Sequence, residues 1–242
     1  MALPEGIERP ADGLLKREYF TSDVVRSFVL QMAKQGGEPV MSDEDREASL
    51  SAMLTDVPAG RDVWVFGYGS LMWNPAIHVV ESRKARITGY HRRFCLTLRF
   101  GRGSAENPGL MLALDEGGDC VGVAHRIAAA DVRTELGILW QREMISGAYH
   151  PKWLDAEIDG THENRVLSFI INREHPRCEG QLDGEDMARR IATATGIIGT
   201  NRDYLYRMVQ HLNSLGMDDG PMHELERRVR VFANEPEKET QP

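Results

Sequence analysis

A chain of 242 residues with a formal net charge of −8 has room for one sizeable core with appendages, or at most two domains. Its acidic balance argues against a general nucleic-acid or anionic-membrane surface, and no stretch approaches the roughly 18 apolar residues of a spanning helix, so neither nucleic-acid binding nor direct membrane insertion is expected. Cys95, Cys120 and Cys178 stand far apart with no metal-type pair, and the N-terminus lacks a basic region followed by an apolar core, which together point to a reducing cytoplasm.

Residues 1–20 show no clear period and are expected to wrap a surface. Ser22 is placed to cap a helix through Val24, Val25, Phe28, Val29 and Met32 that ends near Gly36-Gly37. Ser42, with Asp45 three residues on, predicts a second helix to about Leu54. Val57 to Gly60 then lead into an apolar strand, Val63-Trp64-Val65-Phe66, which passes without a break into Gly67-Tyr68-Gly69-Ser70-Leu71-Met72-Trp73-Asn74-Pro75.

A β-rich body follows. Ala85 to Leu98 reads as a strand with a bulge at Gly89, punctuated by Gly101-Arg102-Gly103 and Asn107-Pro108-Gly109. Leu110 to Leu114 and Cys120 to Ile127 read as partners across a Gly117-Gly118 hairpin turn. Short strands closed by glycine turns suggest a small barrel or curved sheet. Asp131 is expected to cap a helix whose Val132, Leu136, Leu139 and Glu143 share one stripe. Pro151 to Ile158 and Arg165 to Ile171 complete the strands. Asp183 to Thr195 is an amphipathic helix stopped by Gly196; Gly199-Thr200-Asn201 caps another from Arg202 to Leu215, and a last helix runs from about Met222 to Phe232 before a polar tail from Asn234.

Two places carry chemistry. In the glycine loop, two glycines flanking Tyr68 permit positive φ and close approach to a ligand, while Ser70 and successive N–H groups suit an anion; the alternative is a strand with an ordinary turn. A dinucleotide fingerprint fails, because Met72 stands where a third glycine is needed, and a nucleophile elbow fails at Tyr68 and Met72, so Ser70 reads as a binding hydroxyl. Glu143 continues an apolar stripe. Its carboxylate must be paired, reach solvent at a fraying helix end, or carry a raised pKa in a pocket. Adjacent helix positions diverge, so Arg142 is expected on a different face. The eight histidines show no HExxH or paired spacing, so no metal and no cofactor are expected, and the loop with Glu143 suits metal-free acid–base chemistry.

Val65-Phe66-Gly67-Tyr68-Gly69-Ser70-Leu71, Arg92-Arg93-Phe94, Gly101-Arg102-Gly103 with Pro108-Gly109, Gly122-Val123-Ala124, Gln141-Arg142-Glu143, Gly199-Thr200-Asn201 and Tyr204-Leu205, in this order, resemble the ChaC family of γ-glutamylcyclotransferases from about Val63 to Phe232. The resemblance implies an α+β fold, a γ-glutamylcyclotransferase-like small β-barrel with flanking helices, and the cleavage of glutathione to 5-oxoproline and cysteinylglycine. It implies that Glu143 is the catalytic glutamate, that Tyr68, Gly69, Ser70 and Leu71 form the substrate-binding loop, and that Tyr204 lies near the substrate pocket. The loop N–H groups would hold either the substrate α-carboxylate or the developing oxyanion; Arg93 is either a carboxylate clamp or a strand-edge surface charge. Met144-Ile145-Ser146 departs from the more glycine-rich segment of compact glutathione-specific members, which leaves other γ-glutamyl peptides or amines as rival substrates, and a non-catalytic γ-glutamyl-binding protein as a rival of another class. Residues 1–60 are expected to be a helical extension, 61–233 the catalytic domain and 234–242 a polar tail; the extension covers the barrel, contacts another subunit or stabilises the fold.

Overall fold

A computed structural model describes residues 16–235, other than 22, 36 and 38. The expected cap Ser22, the stop at Gly36 and the tail from residue 236 lie outside the described residues, as do the side chains of Val24, Val25, Phe28 and Met32. The described residues open with a short helix α1 (Glu18–Thr21), then α2 (Asp23–Gln35) and α3 (Asp43–Thr55). Ser42 caps α3 as its sequence predicts, its hydroxyl accepting from the Asp45 amide at 3.0 Å.

Strands β1 (Val63–Gly67), β2 (Glu81–Leu98) and β3 (Gly109–Ile127) come next, then α4 (Val132–Glu143), β4 (Tyr149–Ile158) and β5 (Thr161–Ile171). The five strands close into a barrel in the order β1-β3-β2-β4-β5. β1 is the closing strand, antiparallel to β3 (Val65 opposite His125) and parallel to β5 (Trp64 opposite Val166). Its apolar, β-branched composition follows from having neighbours on both sides.

The expected hairpin at Gly117-Gly118 is not there. β3 continues through both glycines and pairs with β2 on either side of them, from Glu81 opposite Arg126 to Leu98 opposite Gly109. Thr88 faces Asp119 and Tyr90 faces Glu116, so Gly117 and Gly118 oppose the single Gly89, a bulge built on glycines with φ of +102°, +68° and +86°. Positive-φ glycine pairs serve hairpins and bulges alike; the pairing partner decides, and here the true hairpin turn is residues 99–108.

Asp131 also departs from expectation, since its side chain makes no capping bond to α4. α5 (Gly184–Thr193) ends before Gly196, which pairs instead with Gly199 in a two-residue ladder. A Cβ on Gly196 would lie 2.2 Å from the Gly101 carbonyl oxygen, so the glycine permits contact with the β2–β3 turn rather than ending a helix. α6 (Asn201–Ser214) and α7 (Gly220–Phe232) finish the chain. At the head of α6 the fully buried Asn201 side chain accepts from the Leu110 amide at 2.7 Å and donates to the Leu110 carbonyl at 2.8 Å, fastening the helix to β3.

The core falls into two groups. Phe66, Phe94, Leu112 and Leu114 pack with Leu205, Met208 and Leu212 of α6, while Val65, Leu96 and Phe169 pack with Leu136, Leu139 and Trp140 of α4. Trp140 meets Phe169 edge-on at 5.4 Å, and burying either side chain is worth about 2–3 kcal/mol. This packing brings the C-terminus of α4 against the chain leaving β1.

Candidate active site

The loop after β1 is drawn in by its backbone. Met72 N–H donates to the Gly69 carbonyl at 2.9 Å and Asn74 N–H to the Ser70 carbonyl at 2.9 Å, so Ser70–Met72 form a single 3₁₀ turn. Neither Gly67 nor Gly69 takes the positive φ that the sequence suggested; Gly69 sits at −131°. What they supply is room. A Cβ on Gly67 would lie 2.9 Å from Leu71 Cβ, and one on Gly69 would lie 2.9 Å from the Tyr204 hydroxyl.

Two groups not singled out from sequence hold this turn from below. Arg92, 4% exposed, pairs through Nε with Asp219 at 3.0 Å and donates from Nη1 to the Tyr68 carbonyl at 2.9 Å. His125 Nε2 donates to the Leu71 carbonyl at 2.9 Å while Nδ1 accepts from the Ser82 hydroxyl at 2.8 Å. Burial pushes the His125 imidazole below its ordinary value, which keeps it neutral with this tautomer. A buried Arg or His inside a strand could have signalled such a role, but strand alternation alone does not tell a buried partner from a surface charge.

Glu143 ends α4, its side chain 17% exposed, so it does not escape to solvent at a frayed end. Burial raises its carboxyl above the ordinary value, and Arg142 partly offsets this. The negative end of the α4 macrodipole acts in the same direction as burial. Arg142 does not point away: its Nε meets Glu143 Oε1 at 2.9 Å, Nη1 donates to the Asn74 carbonyl at 2.5 Å, and Nη2 donates to Ser70 Oγ at 2.7 Å. The rule that neighbouring positions diverge fails because the helix ends here and a long planar fork can reach three acceptors at once.

Three tyrosines surround this pair. Tyr68, buried, donates its hydroxyl to the Phe169 carbonyl at 2.8 Å, and Tyr149 donates to the Leu112 carbonyl at 2.8 Å. Tyr204 packs edge-on against Phe94 at 5.9 Å, its hydroxyl within hydrogen-bonding reach of the Ser70 amide and hydroxyl. Burial first, and the Glu143 charge second, push its phenol up to about 12, so it remains a neutral hydroxyl.

A cavity of about 260 Å³ opens beside Glu143, and of the four predicted loop residues Ser70 lines it. Arg142, Tyr149 and Arg177 share the wall, and Phe20, Val29 and Leu30 of α1 and α2 face them. The structure does not bring Arg93 here. Its Nε binds Asp115 at 2.7 Å and Nη1 the Gly180 carbonyl at 3.0 Å, in a separate concavity beside the start of α7. The arrangement thus offers a desolvated carboxylate of raised pKa, an arginine that fixes it to a hydroxyl-bearing turn, and a largely apolar cavity beside them.

A family model described as ChaC-like protein matches residues 63–232. The chain is 45% identical over 184 residues to the glutathione-specific γ-glutamylcyclotransferase of Escherichia coli (strain K12), covering 76% of this chain and 80% of that one. It is 32% identical over 199 residues to the enzyme of the same name from Schizosaccharomyces pombe, covering 74% and 97%. In fold it resembles a crystal structure of a selenomethionine-labelled γ-glutamyl cyclotransferase specific to glutathione from yeast, with a TM-score of 0.66 at 20% identity over 71% of this chain and 96% of that one.

Proposed function

The chain belongs to the ChaC family, and from that premise we propose that Glu143 is its catalytic base and acid in the cyclisation of glutathione to 5-oxoproline with release of cysteinylglycine. The protein is a glutathione-specific γ-glutamylcyclotransferase. One observation supports the role of Glu143 above the others: it is a carboxylate whose pKa burial raises, on the wall of a cavity, tied by Arg142 to the glycine turn.

In this reading the substrate γ-glutamyl ammonium loses a proton to the Glu143 carboxylate. The freed amine attacks the γ-amide carbonyl carbon and closes a five-membered ring, placing negative charge on the carbonyl oxygen. As the C–N bond to the cysteinyl residue breaks, the Glu143 carboxylic acid returns that proton to the departing nitrogen; the ring nitrogen, which still carries one proton too many after the attack, gives it up through the same carboxylate to the released amine, so the products are the neutral lactam and cysteinylglycine as its ammonium form. A raised carboxylate pKa brings donor and acceptor closer in proton affinity, which favours both transfers. Nucleophile and electrophile belong to one molecule, so holding the folded conformer supplies most of the acceleration; oriented intramolecular reactions reach effective molarities of about 10⁵–10⁸ M. Ser70 binds the substrate through its hydroxyl, the turn amides hold an anionic group, and Tyr204 keeps Ser70 in place. Tyr68, Gly69 and Leu71 shape the turn.

Purified protein incubated with reduced glutathione should release 5-oxoproline and cysteinylglycine in equal amounts by mass spectrometry, and Glu143→Gln should release neither at more than about a hundredth of that rate. Retained turnover in that variant would remove Glu143 from the chemistry. Equal turnover of γ-glutamyl-alanine would widen the substrate class beyond glutathione.

A further inference from the structure

The catalytic cavity extends beyond the part of the chain that the family model matches. One side carries Ser70, Arg142 and Glu143; another is built by α2 and the start of α3, which contribute Arg26 and Arg46. Asp43 is shared by both arginines: Arg26 Nη2 donates to it at 2.9 Å, and Arg46 Nη2 donates to its other oxygen. Among the described residues, two guanidinium groups against one carboxylate leave one positive charge over. Asp23, 4.0 Å from Arg26, is 95% exposed and compensates little through water. Arg46 is 2% exposed, with Nη1 donating to the Met41 carbonyl at 2.6 Å, and its buried Nε–H has no acceptor among the described residues.

We infer that the Arg26–Asp43–Arg46 cluster receives the terminal carboxylate of the leaving half of the γ-glutamyl peptide, with Arg46 as the specificity-determining contact. This rests on the cyclotransferase reading above. The γ-carbonyl must sit by Glu143 to react, so the rest of the peptide continues along the cavity, and its far end is an anion. The surplus cation meets it there. The other arginines of the wall are engaged elsewhere: Arg142 with Glu143, Ser70 and Asn74, and Arg177 with the Thr97 carbonyl at 2.7 Å and Ser146 Oγ at 3.1 Å. The N-terminal helices are then a working wall of the site, and they select a peptide by the charge at its end.

The test compares glutathione with its glycyl ethyl ester, which keeps the γ-glutamyl amide and loses the terminal charge. Wild type should prefer glutathione in kcat/KM by about ten- to hundredfold, the worth of one charge-assisted hydrogen bond, with the difference carried in KM. Arg46→Gln should collapse that ratio towards one, and Arg26→Gln should reduce it severalfold. A merely structural loss would lower both substrates together and leave the ratio intact, which would overturn the assignment. So would a wild type indifferent to the ester, or a collapse seen in Arg177→Gln alone. Should Arg46→Gln fail to fold, Arg26→Gln on the surface of α2 decides by the same ratio. Release of 5-oxoproline from neither compound by wild type would instead sink the cyclotransferase reading, and the cluster's role with it.

Discussion

At the scale of single residues, Glu143 does two opposed things. Its pKa in the fold lies above the unfolded value, so its protonated form supports the fold at low pH, and that support is lost as pH rises through the folded pKa. At neutral pH the enclosed charge burdens the structure. Glu143→Gln should therefore raise the unfolding midpoint near neutral pH and much less near pH about 4, while kcat falls by about 10²–10⁴; a midpoint shift equal at both pH values would contradict the raised pKa. The acid limb of kcat/KM should lie above the ordinary glutamate range. Arg142 lowers the pKa of Glu143 and orients it, so Arg142→Met should move that limb to higher pH besides reducing kcat, a displacement that pH profiles of the two proteins would reveal. Ser70→Ala removes only a hydroxyl between Arg142 and Tyr204, and its loss should appear mainly as a raised KM.

At the scale of elements, the turn after β1 depends on close backbone approach. A Cβ on Gly122 of β3 would lie 2.3 Å from the Gly67 carbonyl, and backbone cannot swing aside as a long side chain can. Gly122→Ala should cost about 1–3 kcal/mol in denaturant unfolding and weaken turnover, because the turn moves with β1. Much at this scale was legible in the sequence. Hydroxyl caps marked α3 and α6, the amphipathic run from Asp183 marked α5, and the stripe from Val132 to Glu143 placed the carboxylate on the inward face of α4. What was not legible depended on partners distant in sequence. Nothing local tells that Gly117-Gly118 opposes Gly89 instead of turning the chain, that Arg93 meets Asp115, or that Arg142 reaches Ser70 across 72 positions. Of the N-terminal helices, α2 and α3 were legible and the short α1 was not, and their place over the cavity follows from contacts such as Arg17 Nη2 to Glu135 Oε1 at 2.8 Å and Phe20 against Arg142 at 5.6 Å.

At the scale of the whole molecule, the cavity joins the barrel, α4 and the N-terminal helices, so filling it should stiffen all three. Glu143→Gln bound to glutathione at about 100 times its Kd should gain about 2.7 kcal/mol, raising Tm by roughly 5–10 °C in a chain of this size; no rise at saturation would argue against a preformed substrate cavity. Among the described residues no helix is long and apolar enough to cross a membrane. The parallel seam between β1 and β5 joins segments about a hundred residues apart, and the Tyr68 hydroxyl crosses it to Phe169. Such a junction has a high loop-closure cost and is expected to form late. A ribosome that has already released Glu143 has therefore made no enzyme; competence waits until β5 has emerged and zipped against β1. After dilution from denaturant, helical circular dichroism should return first and 5-oxoproline release should lag behind it, which makes catalysis a clock for the last step of folding.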